Sequence, residues 1–266
     1  MIIDFHTHAF PEALAARALE KLSFVSGGLK PYTDGTLQSL CETEKRDGAD
    51  ICVILGIATN AHQMKKVNDF AAEENKNEDI FAFGSVFPWA EDVSEELERI
   101  KDMGLRGVKF HPEYQNFFVD DEKMKPVYKK ISELGLITVF HAGLDYGYDM
   151  PFHCMPENMR RAAAWFDAPV VAAHWGGLGC GESVLENLCG IENLYFDTAF
   201  GYGQMPRSTA LKIVEKHGTD KLLFGTDAPW STPERELRLI NTLELSENEK
   251  EAILGLNAAK LLNNLN

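Results

Sequence analysis

The chain has 266 residues, a length that a single (β/α)₈ barrel can occupy. Its 26 Lys and Arg residues against 41 Asp and Glu residues give a formal net charge of −15, which argues against a nucleic-acid partner because phosphate binding needs a basic surface. Hydrophobic residues make up 45% and charged residues 25%, a globular composition that excludes disordered and fibrous classes.

Eight short apolar segments rich in β-branched residues recur along the chain, and we predict that each is a strand. After the first interval, their ends follow one another every 23 to 33 residues, the length of one βα unit. The pattern predicts one α/β domain over residues 1–266, folded as a (β/α)₈ TIM barrel. The strands end near His6, Gly56, Phe87, His111, His141, His174, Asp197 and Asp227.

The segment between the first two strands, residues 9–49, is longer than one helix requires. It contains several turn-forming residues, namely Gly27, Gly28, Pro31 and Gly35. Two interpretations remain open: a lid over one mouth of the barrel, or a packed excursion on its surface.

Two of the intervening helices follow from the spacing of apolar residues. We predict a helix over 94–103, with Ser94 as its N-cap, and a second over 123–134. Near the C-terminus, Ser246 and Glu249 have the spacing of a capping box at the start of a helix.

Five of the eight histidines lie at or just beyond predicted strand ends, and they are His6, His8, His111, His141 and His174. In a (β/α)₈ barrel these ends form one ring, so residues far apart in sequence converge there. The eighth strand adds Asp227 to the ring. His62 and His217 fall in helical segments and are expected at the surface.

The pair His6 and His8 is spaced so that both side chains of a strand point to the same side. Together with His141 and Asp227 they would form a nitrogen and oxygen set suited to Zn²⁺, Fe²⁺ or Mn²⁺. Two strand histidines can also be merely hydrogen-bonded. The further polar residues at other strand ends favour the metal site, because burying them without partners would be costly.

Several motifs together resemble the amidohydrolase superfamily, in particular the amidohydrolase family 2 branch that contains aminocarboxymuconate-semialdehyde decarboxylase and resorcylate decarboxylases. The motifs span almost the whole chain: DFHTH at 4–8, RGVKFHP at 106–112, FHAG at 140–143, AAHWGG at 172–177, LLFGTDAPW at 222–230 and NAAKLL at 257–262.

The resemblance implies that His6, His8, His141 and Asp227 surround one divalent metal ion, with Zn²⁺ the first expectation. It also implies that His174 is an acid or base beside the metal, with a role as ligand of a second ion as the alternative. The cation would activate water, while Asp227 orients that water or takes its proton.

Lys109 shares the strand parity of His111, so both side chains are expected to point into the barrel. In two-metal members of the superfamily, a lysine on the fourth strand is carboxylated and bridges two metal ions, which the resemblance makes a candidate role for Lys109. The branch resembled here uses a single metal ion. Otherwise Lys109 is a cation for a substrate carboxylate or a structural ion-pair partner. His111 is a candidate second-metal or substrate residue, and Trp230 is a candidate substrate contact.

The leading functional hypothesis is a metal-dependent hydrolase of an amide, lactone or ester bond in a small molecule. The alternative is a metal-dependent decarboxylase of an aromatic or muconate-type acid, which the lack of an evident arginine at the mouth weakens. A noncatalytic metal-binding barrel is the third hypothesis. Relatives in this branch are commonly dimers, which makes a homodimer an expectation.

The compartment is predicted from what the sequence lacks. No apolar run approaches the roughly 20 residues that span a bilayer, and the N-terminus MIIDFHTHAF lacks the basic and apolar regions of a signal peptide. The five cysteines form no C-x-x-C pair. We expect a cytoplasmic protein with reduced thiols and no membrane partner.

Overall fold

A computed structural model describes residues 1–263, and eight parallel strands lie at its centre. Each strand pairs with its neighbour in chain order, within the groups β1 to β3 and β4 to β8. The strands are β1 (Ile3–Thr7), β2 (Ile51–Leu55), β3 (Ile80–Phe83), β4 (Gly107–Phe110), β5 (Ile137–Phe140), β6 (Val170–Ala172), β7 (Leu194–Asp197) and β8 (Leu222–Leu223).

Single bridges close the two seams between these groups. Gly84 pairs with Val108 between β3 and β4, and Thr7 pairs with Ala228 between β1 and the segment after β8. The Phe5 N–H also donates to the carbonyl of Phe224 over 2.8 Å. The closed ring of eight parallel strands confirms the predicted (β/α)₈ barrel.

Helices cover the outside of the ring. They are α1 (Glu12–Val25), α2 (Leu37–Asp47), α3 (Met64–Glu74), α4 (Val93–Asp102), α5 (Pro112–Gln115), α6 (Lys125–Glu133), α7 (Pro156–Ala163), α8 (Gly181–Asn187), α9 (Arg207–His217), α10 (Pro233–Thr242), α11 (Glu247–Glu251) and α12 (Asn257–Asn263). A π-helical turn, Ala252–Leu256, joins the last two. Within residues 1–263, no helix combines the length and apolar character needed to cross a membrane.

The predicted helix boundaries are close to the observed ones. The helix α4 begins one residue before Ser94, and its N-cap position is Asp92, so the predicted Ser94 cap is wrong. The capping box of Ser246 and Glu249 is present at the start of α11, which confirms that prediction.

Apolar side chains fill the interior of the barrel below the strand ends. Ile3, Phe5, Val53, Val139 and Val171 belong to this inner cluster. The last helix, α12, packs against the cluster and contributes Ala258, Leu261 and Leu262. The described residues therefore close the barrel at this end, and its cavity lies at the carboxyl ends of the strands.

A β-bulge interrupts the strand β1. Asp4 pairs with Cys52 and Thr7 with Ile54, so three steps on β1 face two steps on β2. Phe5 lies in the inner core, and the extra residue lets the next side chain, His6, also turn inward. Regular alternation alone would have placed His6 on the opposite face from Phe5.

The long segment after β1 folds into α1 and α2. The cavity lies at the carboxyl ends of the strands, and residues of α1 at positions 14, 17, 18, 21, 22 and 25 line it. These positions have the spacing of one helix face. Ala15 and Leu19 on another face are buried against the protein. The segment therefore forms a helical wall at the mouth of the barrel. Its position agrees with the first interpretation, a segment over the mouth, and not with an excursion elsewhere on the surface.

One histidine differs from its prediction. His62 is exposed as expected, but the prediction of a surface position for His217 is wrong. His217 is 6% exposed and stacks on Phe196 with ring centroids 3.9 Å apart. It lies one helical turn after Ile213 and Val214, which are also buried, so its spacing places it on the inner face of α9.

Candidate metal and active site

The carboxyl ends of the strands surround a cavity of about 710 Å³. Its volume is within the range of small-molecule sites. The side chains singled out from the sequence all line this cavity: His6, His8, Lys109, His111, His141, His174, Asp227 and Trp230.

Three of these residues come together at the floor of the cavity. The Nε2 atoms of His6 and His8 lie 3.2 Å apart. Asp227 Oδ1 lies 3.3 Å from the first and 3.2 Å from the second. His6 and His8 come from β1 and the residue after it, and Asp227 follows β8, so the seam that closes the barrel brings them together.

The hydrogen bonds of the two imidazoles assign the roles of their ring nitrogens. His6 Nδ1 donates to Asp197 Oδ2 over 2.9 Å, and His8 Nδ1 donates to the carbonyl of Leu55 over 2.8 Å. In a neutral imidazole the Nε2 atom then carries a lone pair. Two lone pairs and a carboxylate oxygen therefore face one another, an arrangement that a cation stabilises.

Burial keeps the floor in the state that a metal requires. It lowers the pKa of His6 well below its ordinary value, and the nearby Lys109 cation lowers it further. His6 is therefore neutral at physiological pH, as a nitrogen ligand must be. Burial raises the pKa of Asp227, which a bound cation would oppose.

A second pair of facing nitrogens lies beside the first group. His141 Nε2 donates to the carbonyl of Leu144 over 3.0 Å, and His174 Nδ1 donates to the carbonyl of Ala199 over 3.2 Å. This leaves His141 Nδ1 and His174 Nε2 as acceptors 3.1 Å apart. Burial lowers the pKa of His141 to about 3 and that of His174 well below its ordinary value.

His141 also belongs to a third group at the wall of the cavity. Its ring stacks on that of His111 with centroids 4.2 Å apart. Asp145 Oδ2 lies 3.3 Å from His111 Nε2 and 3.9 Å from His141 Nε2. His141 thus lies between this group and His174, and it does not belong to the group of His6, His8 and Asp227.

Lys109 projects from β4 into the floor. Its Nζ atom lies 3.2 Å from His6 Nε2, and the side chain is 1% exposed. Burial lowers its pKa to about 8. Val108 and Phe110 face the helices, so the predicted parity of the strand is confirmed.

Asp197 is a functional residue that the sequence reasoning did not single out. Its Oδ2 accepts from His6 Nδ1, and its Oδ1 accepts the backbone N–H groups of His174 and Ala199 over 2.8 and 3.1 Å. One fully buried carboxylate therefore positions residues from β1 and from the end of β6. Its position at the end of β7, in the motif LYFDTAF, is the sequence signal that could have identified it as a site residue.

Two site residues have strained backbones. His174 has φ 59° and Asp227 has φ 65°, in the left-handed region that side chains other than glycine disfavour. The Asp227 N–H donates to the carbonyl of His6 over 2.8 Å, and the His174 N–H donates to Asp197. These hydrogen bonds offset the strain and hold both side chains toward the floor.

The outer wall of the cavity carries three cations that the sequence reasoning also missed. Arg17 and Lys21 project from α1 and Lys66 from α3. The expectation of no arginine at the mouth is therefore wrong. The strand-end argument could not find Arg17, because this residue belongs to a helix rather than to the ring of strand ends.

The donor set fits a divalent cation of the zinc type. It offers imidazole nitrogens and carboxylate oxygens. The Nδ1 atoms of His6 and His8, on the side of each ring away from the ligand nitrogen, bond to buried oxygens that orient the imidazoles. Within the described chain, each group of ligand atoms lies within 4.8 Å.

Comparisons with known proteins agree with this arrangement. A family model described as amidohydrolase matches residues 3–263. The chain therefore belongs to the amidohydrolase family, as the motifs indicated. Among curated proteins, dihydropyrimidinase from Dictyostelium discoideum is 36% identical over 73 residues, which cover 27% of this chain and only 14% of that protein's length.

Solved structures share the fold at low sequence identity. An uncharacterised TIM-barrel protein from Bordetella bronchiseptica has a TM-score of 0.76 at 22% identity, with 99% of each chain covered. The 2,6-dihydroxybenzoate decarboxylase from Rhizobium has a TM-score of 0.70 at 16% identity, with 98% of each chain covered. A proposed 2-pyrone-4,6-dicarboxylic acid hydrolase from Pseudomonas putida has a TM-score of 0.68 at 14% identity, covering 98% of this chain and 97% of that one.

Proposed function

We propose that this amidohydrolase is a metal-dependent hydrolase that cleaves an amide, lactone or ester bond of a small molecule. The observation that carries the proposal is the convergence of the His6 and His8 Nε2 atoms on Asp227 Oδ1 at the floor of an open cavity. We assign His6, His8, His141 and Asp227 as ligands of a divalent ion, with Zn²⁺ the first choice.

The bound cation would supply Lewis acidity and a water of lowered pKa. Asp227 is placed to orient that water and accept its proton, because its side chain faces the cavity beside the proposed imidazole ligands. His174 lines the same cavity, and its Nε2 atom is an acceptor that faces His141 Nδ1 over 3.1 Å. Its Nε2 would take up the proton released from water and return it to the leaving group. Its alternative role, holding the substrate oxygen, requires the protonated imidazole.

The number of ions depends on Lys109. A lysine with a pKa of about 8 is partly neutral at physiological pH, and only the neutral amine reacts with carbon dioxide to form a carbamate. The facing acceptors His141 Nδ1 and His174 Nε2 favour a second ion in that case. We retain one ion as the proposal and a carboxylated Lys109 with two ions as the alternative.

A decarboxylase is the second candidate function. It is supported by the Rhizobium decarboxylase among the structural neighbours and by Lys109, a buried cation beside the proposed metal ligands that could face a substrate carboxylate. The dihydropyrimidinase match and the Pseudomonas neighbour favour hydrolysis. A noncatalytic barrel is the third candidate, and the acid and base groups beside the ligands argue against it.

The first experiment measures metal per chain by elemental analysis in the unmodified protein and in His6→Ala, Lys109→Ala and His62→Ala variants. His62 is exposed and serves as the matched control. We expect about one ion that is lost in His6→Ala and kept in the other two. Two ions that fall on loss of Lys109 would establish the carboxylated bridge, and no tightly bound metal would refute the proposal.

The second experiment separates the two reactions by their products. Hydrolysis of an ester or lactone at neutral pH releases a proton, whereas decarboxylation releases carbon dioxide. A substrate panel of lactones, esters and aromatic acids is screened with a pH indicator and a carbon dioxide assay in parallel. Cyclic amides are followed by chromatography of the product, because amide hydrolysis gives a carboxylate and an ammonium without net proton release. Carbon dioxide release that is lost in His174→Ala, with no proton release, would replace hydrolysis by decarboxylation.

The remaining assignments follow from the same proposal. The substrate is a small molecule, and we propose neither a nucleic-acid nor a membrane partner. The five cysteines are free thiols, which suits the reducing cytoplasm as the site of action. A homodimer is the proposed assembly, and light scattering in solution tests it.

A further inference from the structure

The charge of the main cavity is opposite in sign to that of the whole protein. The chain carries a formal net charge of −15. The only acidic residues among those that line the cavity are Asp145 and Asp227, and both belong to the histidine groups at its floor. The outer wall carries Arg17, Lys21 and Lys66, and no carboxylate from α1 or α3 is among the residues that line it.

These three cations have no partner in the part of the chain that the structure describes. No ion pair or hydrogen bond of their side chains occurs within residues 1–263. By contrast, Lys65, which is next to Lys66 but does not line the cavity, lies 3.9 Å from Asp92. The cations of the wall are therefore free to bind a ligand.

Two helices place these cations above an apolar surface. On α1, Arg17 and Lys21 alternate with Leu14, Ala18, Leu22 and Val25 along the face that lines the cavity. On α3, Lys66 is followed by Val67 and Phe70 on the same lining surface. A ligand that reaches from the floor to the wall thus crosses an apolar middle and meets positive charge at its far end.

We propose that Arg17, Lys21 and Lys66 form a subsite for a second anionic group of the substrate, a carboxylate or a phosphate, remote from the bond that reacts. The substrate class is then a small acid with an apolar body between its reacting group and its anionic end. This inference rests on the proposed function for the identity of the reacting end. The subsite itself requires only binding.

The experiment compares matched ligands that differ only at the far end. The probes are linear dicarboxylates from succinate to suberate, each paired with its monoamide, together with a phosphonocarboxylate series of the same lengths. Their affinities for zinc-loaded protein are measured by isothermal titration calorimetry. We expect one length at which the diacid binds roughly tenfold more tightly than its monoamide, a preference that added salt reduces.

Variants then assign the preference to the wall. Arg17→Gln, Lys21→Gln and Lys66→Gln are expected to reduce the affinity for the diacid about threefold each, with little change for the monoamide. The triple variant should lose the preference. The control is Lys30→Gln, Lys45→Gln and Lys65→Gln combined, because these exposed lysines lie outside the cavity and their loss changes the net charge equally.

The outcomes are distinct for the subsite and for the proposed function. Equal affinity for diacid and monoamide, absence of binding by every probe, or a preference that survives in the folded triple variant would overturn the subsite. A preference lost only in that variant supports it, even if the protein fails to hydrolyse any substrate. Tighter binding of the phosphonates would identify phosphate rather than carboxylate as the remote group.

Discussion

Asp197 Oδ2 accepts a hydrogen bond from His6 Nδ1 over 2.9 Å, and both residues are buried. The bond joins β7 to β1 across the interior of the barrel. It fixes the tautomer of His6, so that the lone pair of Nε2 faces the floor of the cavity. Asp197 does not line the cavity, yet through this hydrogen bond it orients one of the proposed metal ligands.

We predict that Asp197→Asn weakens zinc binding by about 10-fold to 100-fold, because the amide is a poorer acceptor and the imidazole becomes a weaker ligand. Competition with a chromophoric chelator measures the affinity. The control is Asp149→Asn, an exposed carboxylate outside the cavity. Unchanged affinity in Asp197→Asn would show that Asp197 only supports the fold.

Lys109→Met should stabilise the metal-free protein at pH 7. Burial lowers the pKa of Lys109 to about 8, so the folded state disfavours the charge that the unfolded state keeps up to its ordinary value of 10.5. Removing this buried charge should raise the free energy of unfolding by about 3 kcal/mol below pH 8. The gain should shrink as the pH rises from 8 toward 10.5.

Urea unfolding in the presence of a chelator measures this effect at pH 7 and pH 9.5. The exposed Lys65→Met variant is the control and should change the free energy of unfolding by less than about 0.5 kcal/mol. Destabilisation by Lys109→Met of the metal-free protein would mean that the ammonium makes a net favourable contribution.

His217 predicts a loss of stability in mild acid. Burial lowers its pKa from 6.5 to about 4. Between these two pH values the imidazole is protonated in the unfolded chain and neutral in the folded chain. Stability therefore falls as the pH drops from 6.5 to 4, by about 3 kcal/mol for this residue. His217→Gln should reduce the slope of stability against pH in that window.

The measurement is urea unfolding at pH 7 and pH 4.5, with chelator present. Glutamine keeps an acceptor for the Gly190 N–H, which donates to His217 Nδ1 over 3.2 Å. His62→Gln, at an exposed position, should leave the slope unchanged. Equal slopes in the wild type and His217→Gln would contradict the lowered pKa.

Gly143→Ala should distort the candidate metal site, because Gly143 lies in the loop after β5, two residues beyond His141. Gly143 has φ +86°, and an added Cβ would overlap the backbone nitrogen of Leu178. The strain and the overlap together should cost about 3 kcal/mol and move the segment that follows His141 away from the segment that follows His174. Thermal unfolding and zinc affinity should both fall.

Gly177→Ala is the matched control for this change. Its Cβ would meet its nearest neighbours at 3.4 Å, which is an ordinary contact. It lies in the same loop as Leu178. A similar loss of stability in both variants would indicate general sensitivity of the loop instead of the close approach at Gly143.

The sequence predicts most of the barrel because buried parallel strands need continuous apolar segments, and these are visible in one dimension. It also predicts that His6 and His8 share a face, and both side chains line the cavity. The alternation fails one step earlier, between Phe5 and His6. The bulge in β1 adds a residue after Phe5 and brings His6 inward. A bulge changes the period of a strand without changing its composition, so the sequence pattern does not reveal it.

The missed residues have a common cause. Asp197 and Arg17 act through contacts or surfaces that only the closed barrel creates, since β7 meets β1 across the interior and α1 stands over the mouth. His217 is different, because its helical spacing from Ile213 did carry a signal. Contacts across a barrel depend on how the strands close in three dimensions, whereas burial along one helix follows from the spacing of its residues.

The barrel seam between β1 and β8 also bears on the order of folding. His8 and Asp227 are 219 residues apart in the chain, yet they meet at the floor. Contacts of such separation slow folding, because closing a long loop costs entropy before the contact stabilises the chain. A nascent chain still lacking β8 cannot assemble the His6, His8 and Asp227 group. If these residues hold the proposed cation, we expect its uptake during refolding to report completion of the ring.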